Sequence, residues 1–180
     1  MNQIFLKAAE VGEGKEKLFE LLKDTVAQNA IEIDDRILND VYLVACKAYE
    51  GKRRYSGEEY VTHPLNVAIL LAELGAESDT VMAGLFCDAK RKGNNINLEK
   101  ELPANVWNIV KLLEEEGHDE TIVIKLAERL HNMRTIEFID DSKKAKKVKE
   151  TIEIYLPLAR RINNQKLIDE LNDLAMKYSV

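Results

Sequence analysis

Apolar residues recur every three to four positions along most of the chain, and no strand pair is evident. That spacing predicts helices near 3–10, 15–29, 34–50, 63–74, 79–91, 104–116, 120–138, 143–161 and 164–178. Thr62 with Pro64 marks a helix start, because proline is tolerated in a first turn, and Pro103 marks another. Asp141-Ser142 is the expected cap of the helix carrying KKAKKVKETIEIYLPLARRI, and Pro157 inside it predicts a kink. Gly51, Gly57, Gly75, Gly93 and Gly117 punctuate the connections. The expected fold class is therefore all-α, one compact multi-helix unit over 31–180 with a helical extension over 1–30.

Composition sharpens this only a little. The chain has 180 residues, 46% of them hydrophobic, enough for a core and too many for a disordered chain. Its net charge of -6 argues against nucleic acid or an anionic membrane as general partners. Two cysteines, Cys46 and Cys87, make no disulfide framework. No stretch is long and apolar enough for a signal peptide or a membrane span, so a reducing cytoplasm is the expected setting.

The stretch GLFCDAKRKG changes the picture. An apolar helix end turns abruptly into Cys87-Asp88 and then Lys90, Arg91 and Lys92. Three other stretches accompany it: RRYSGEEYVTHPLNVA with His63 in a helix start, IVIKLAERLHNMRT with Glu128 and Asn132 on one helix face, and ETIEIYLPLARRI. In this order the four stretches resemble the hydrolase domain of the RelA/SpoT family from about residue 34 onward. The resemblance implies an HD-type phosphohydrolase fold that removes the 3′-pyrophosphate of (p)ppGpp with Mn²⁺. The family's synthetase domain, which follows the hydrolase domain, is not expected within these 180 residues.

The resemblance also locates departures. The family's metal is held by a His of the THP stretch, a His-Asp pair and an Asp of the third motif. Here His63 is kept, the pair reads Cys87-Asp88, and the last acid is Glu128. The acidic pair that serves the attacking water is replaced by Arg91 and Lys92. Asn132 matches, and Arg54 matches the arginine that packs on the guanine base, whereas Tyr49 and Lys52 depart from the usual AHxGQ. The span between the second and third motifs is shorter than usual, as if trimmed over the site.

Mn²⁺ prefers oxygen and imidazole donors, so a thiol is a poor exchange. Lengthening Asp to Glu moves a carboxylate by about 1 Å, a displacement worth about 10²-fold in rate. Loss of a general base costs about 10²–10⁴-fold. No intact catalytic set is expected, only the remnants Asp88 and Asn132, with His63, Cys87, Asp88 and Glu128 as a vestigial metal site. No cofactor is expected; a functional site would take Mn²⁺, or Zn²⁺, which accepts this N, S and O set. Lys52, Arg53, Arg54, Arg91 and Lys92 are candidates for holding a guanine nucleotide or other phosphate ligand. The alternative is that these are solvated loop charges. The leading expectation is an inactive hydrolase-like domain in a regulatory role; an active metal phosphohydrolase and a protein-contact scaffold are the alternatives. KKAKKVK is read as an exposed face or a surface for an acidic protein partner, and His131 as a structural hydrogen-bonding residue near Glu128 and Arg134.

Overall fold

The apolar helix that begins at Thr62 becomes the axis of the molecule. In a computed structural model that describes residues 13–179, α3 (Thr62–Glu73) is buried at every position from 62 to 72. Around it pack α1 (Lys15–Gln28), α4 (Ser78–Gly84) and α8 (Asp119–Arg134). α2 (Asp35–Ala48) and α7 (Ala104–Val110) extend this layer, with two single-turn helices, α5 (Ala89–Lys92) and α6 (Leu98–Glu101), between α4 and α7. α9 (Asp141–Glu150), α10 (Leu156–Arg161) and α11 (Gln165–Lys177) form the far side, where the Arg134 guanidinium of α8 meets Glu170 of α11 with Nε 2.6 Å from Oε1. Among the described residues there is no named strand, only a single bridge between Arg53 and Glu59. The fold is all-α, as the periodicity predicts; the helix expected at 3–10 lies outside the described residues.

Close packing depends on Gly84. A Cβ there would lie 2.5 Å from Leu71 Cδ1 and 3.6 Å from Ala68 Cα, so α4 reaches α3 more closely than any side chain would allow. Buried Leu65, Ile69, Leu85, Ile124, Leu126 and Leu130 fill the same interior. α1 contributes Leu18, Phe19, Leu22 and Val26 to this core, with Phe19 stacked on Tyr42 of α2.

Three boundaries differ from expectation. The helix predicted over 79–91 is broken at 85–88. There the amides of Leu85, Phe86 and Cys87 reach carbonyls three residues back, which tightens the chain into a corner, and the Asp88 amide donates to Tyr49 Oη at 3.3 Å. The cap of α9 is Asp140, whose Oδ1 accepts from the Lys143 amide at 2.9 Å and from Ser142 Oγ at 2.6 Å, one residue before the expected pair. Pro157 sits in the first turn of α10, and a wide turn, Thr151–Tyr155, precedes it, with the Leu156 amide donating to Thr151 O.

Candidate functional site

The corner at 85–88 turns Cys87 and Asp88 inward, toward the first turn of α3. His63 there is fully buried, and Asp88 and Cys87 are nearly so. A ring nitrogen of His63, Cys87 Sγ and an Asp88 oxygen lie within 4.8 Å of one another. His63 Nε2 stands 3.5 Å from Asp88 Oδ2 and has no hydrogen-bond partner. Its other nitrogen, Nδ1, is 2.7 Å from Nδ1 of His131 on α8, so one ring donates and the other accepts. This is the structural hydrogen bond expected of His131, made to His63 and not to Glu128 or Arg134. Tyr60, at the end of the loop before α3, donates to Asp88 Oδ2 at 2.7 Å.

α8 supplies the opposite wall. Glu128, Asn132 and Thr135 lie on one face at the spacing of successive turns. Between Glu128 and Asp88 reaches Arg91 of α5. Its Nη2 donates to Glu128 Oε1 at 2.8 Å and also to Asp88 Oδ1, and its Nε is 3.9 Å from Glu114. Arg54 comes from the loop after α2. Its Nη2 donates to Thr135 Oγ1 at 3.2 Å and Asn132 Oδ1 at 3.3 Å, and its guanidinium carbon is 5.4 Å from the centre of the Tyr60 ring.

Arg54, Tyr60, Asp88, Arg91, Glu128, Asn132 and Thr135 line a cleft of about 310 Å³, and His63 and Cys87 are not part of its lining. Its cations are Arg54, Arg91, Lys92, Lys143, Lys146 and Lys147; its carboxylates are Asp88, Glu128 and Glu150. Tyr55 and Phe138, both exposed, form an apolar lip, with Lys143 Nζ 5.0 Å from the Tyr55 ring centre. Of the five basic candidates, Arg54, Arg91 and Lys92 line this cleft. Lys52 and Arg53 are exposed on the preceding loop, where Arg53 donates to Gly57 O at 2.9 Å. The sequence reading missed Tyr60 and the three lysines of α9. A charge run gives no sign of which helix face meets a cleft, but a phenol three residues before His63 was a usable signal.

Burial sets the protonation states. It pushes His63 down to about 4, helped by the Arg54 charge, and holds His131 well below its ordinary range, helped by His63. Burial would raise Asp88, yet His63, Tyr60 and Arg91 together hold it well below the usual carboxylate range. Glu128 is pushed up to about 7 by burial and the Asp88 charge, against the pull of Arg91. Burial and the Glu128 charge keep the Cys87 thiol well above its ordinary value, hence neutral. Lys147 is lowered by burial and by Arg129.

The donor set does not fit Mn²⁺ as it stands. Of four candidate ligands one is a neutral thiol, and the two carboxylates are already shared with a guanidinium. His63, Cys87 and Asp88 suit a softer ion such as Zn²⁺ in donor type.

A family model described as an HD domain matches residues 42–122 and 117–163. The chain is similar to a GTP pyrophosphokinase of Streptomyces antibioticus, 35% identical over 97% of this chain and 24% of that protein. It is also similar to the bifunctional (p)ppGpp synthase/hydrolase SpoT of Escherichia coli K12, 32% identical over 89% of this chain and 26% of that protein. A GTP pyrophosphokinase of Myxococcus xanthus is 31% identical over 86% of this chain and 24% of that protein. The chain spans about a quarter of the length of these relatives. Among the described residues no helix is long and apolar enough to cross a membrane.

Proposed function

The chain belongs to the HD-domain family in its RelA/SpoT form, and on that premise we propose that it is a (p)ppGpp-hydrolase-like domain that binds a guanine nucleotide or other polyphosphate without cleaving it. The observation that carries this reading is the Arg91 guanidinium lodged between Asp88 and Glu128. A hydrolase of this type needs those carboxylates for a dication and needs an acid or base for the attacking water. Here the carboxylates are neutralised by a fixed positive charge, and Arg91 and Lys92 offer no proton acceptor.

Ligand retention is argued from the rest of the cleft. Arg54 is braced by Asn132 and Thr135, so its planar face is held at the opening, where a purine stacks well. Lys92, Lys143, Lys146 and Lys147 give the rim a positive field that suits a chain of phosphates. Lys52 and Arg53, on the adjoining loop, would act at longer range. The setting proposed is cytoplasmic and regulatory, with residues 1–30 as an extension of the domain at 31–180.

A second reading is supported by one observation: His63, Cys87 and Asp88 converge with a bare imidazole nitrogen among them. Under it the chain is a phosphohydrolase with a zinc-type ligand set. A protein-contact scaffold is the third reading. Calorimetric titration with ppGpp, run for the wild type and for Arg54→Ala, tests the proposal. Saturable binding that Arg54→Ala weakens by about tenfold or more supports it; no binding to either protein would favour the scaffold.

A further inference from the structure

We infer that Arg91 is a resident counter-cation standing in for a metal ion, and that a latent site for a thiophilic dication lies beneath it. This rests on the reading above that the domain does not hydrolyse, and it adds what closes the centre and what would reopen it.

Three observations carry the inference. Nη2 of Arg91 touches both carboxylates, and these come from separate elements: Asp88 from the corner after α4, Glu128 from α8. Their side chains are only 7% and 15% exposed, so without a cation between them the two acids would face each other in a buried site and could not both stay ionised. A fully exposed ion pair would contribute little; a pair whose acids are buried does not fall in that class. Second, His63 Nε2 is buried and unpartnered beside Asp88, although buried polar atoms normally find a partner. In the tautomer whose Nδ1–H donates to His131, Nε2 is free to join Cys87 Sγ and an Asp88 oxygen as a ligand. Third, the Arg91 side chain is 54% exposed. It reaches the acids from the rim of the cleft and not through the core.

The donors beneath are imidazole, thiol and carboxylate. That set selects Zn²⁺ over Mn²⁺, because a thiol ligand favours the softer ion. Arg91 and a dication would share Asp88, so the resident guanidinium charge opposes the ion.

The test uses the whole chain and the metals alone. Wild type, Arg91→Met and Arg91→Gln are dialysed against Zn²⁺ or Mn²⁺. Metal per chain is counted by mass spectrometry, and the thermal midpoint is read with metal and with chelator. The wild type is expected to retain no stoichiometric metal and to melt alike in both. The Arg91 variants should melt lower in chelator and recover with Zn²⁺. They should bind Zn²⁺ about tenfold or more tightly than the wild type, with Cys87→Ser in the same background removing the gain. If Arg91→Met does not fold, Arg91→Gln, which still donates to one carboxylate, carries the test. Folding of either variant only with Zn²⁺ supports the inference, and failure of both to bind or fold with Zn²⁺ overturns it. Zn²⁺ binding by the wild type as tight as by the variants also overturns it. No step reads nucleotide cleavage, so this result and that of the proposed function fail independently.

Discussion

Replacing Glu128 by Gln should make the fold more acid-sensitive between pH 7 and pH 5 than the wild type is. The argument rests on two opposed titrations in one site. His63 is held down from 6.5 to about 4, so the unfolded chain takes its proton first. Its stabilising contribution is complete above the unfolded value and is lost as pH falls from about 6.5 toward 4. Glu128 is held up from 4.5 to about 7, so the folded chain takes its proton first. Its contribution is complete below 4.5 and is lost as pH rises through about 7. Each displacement is about 3 kcal/mol in full, and about 2 kcal/mol of each falls between pH 7 and pH 5. In the wild type the two offset each other. Glu128→Gln removes one, keeps an oxygen for Arg91 to donate to, and leaves the His63 loss of about 2 kcal/mol uncompensated. His131 adds to the loss in both proteins alike. Urea unfolding followed by helical circular dichroism at the two pH values measures the difference directly. Equal pH dependence in the two proteins would refute the protonation states assigned to this site.

Other predictions concern single contacts. Gly84→Ala should destabilise by about 1–3 kcal/mol, because the new methyl meets Leu71 Cδ1 at 2.5 Å, seen as a lowered urea midpoint. Tyr60→Phe removes the 2.7 Å bond to Asp88 and should lower stability by about 1.5–3 kcal/mol in the same assay, as expected for a bond to a charged group. Leu126→Ala, at a fully buried position on α8, should lower stability by about 2–5 kcal/mol, and a change under 1 kcal/mol would contradict the packing described.

The helical architecture was legible because burial imposes a period of 3.6 on α1, α2, α8 and α11, and because α3 is apolar all round. The convergence of His63 and Asp88 came from matched stretches and not from spacing, since they lie on different elements. What the sequence concealed was tertiary in origin. The break at 85–88 is fixed by three-residue turns and by the Tyr49 hydroxyl, 39 positions away, so helix propensity alone reads straight through it. The lysines of α9 looked like a solvated face because nothing local shows that Arg54 and Phe138 stand opposite. Arg91 is the instructive case. Its charge suggested a phosphate ligand, yet three residues from Asp88 it was already at ion-pairing distance along the chain, and it turned to the acids.

The departures at Cys87, Arg91 and Glu128 form one arrangement. Arg91 lies between Asp88 and Glu128, the Cys87 thiol is neutral, and the cleft around them has a positive rim. The most direct measurement of this account is pyrophosphate release from ppGpp by the purified chain, with Mn²⁺ and Zn²⁺ supplied separately. The account predicts no release with either ion, and the same background rate in His63→Ala and Asp88→Ala. Turnover that vanishes in those two variants would contradict it and make the Cys87 and Glu128 set a working centre.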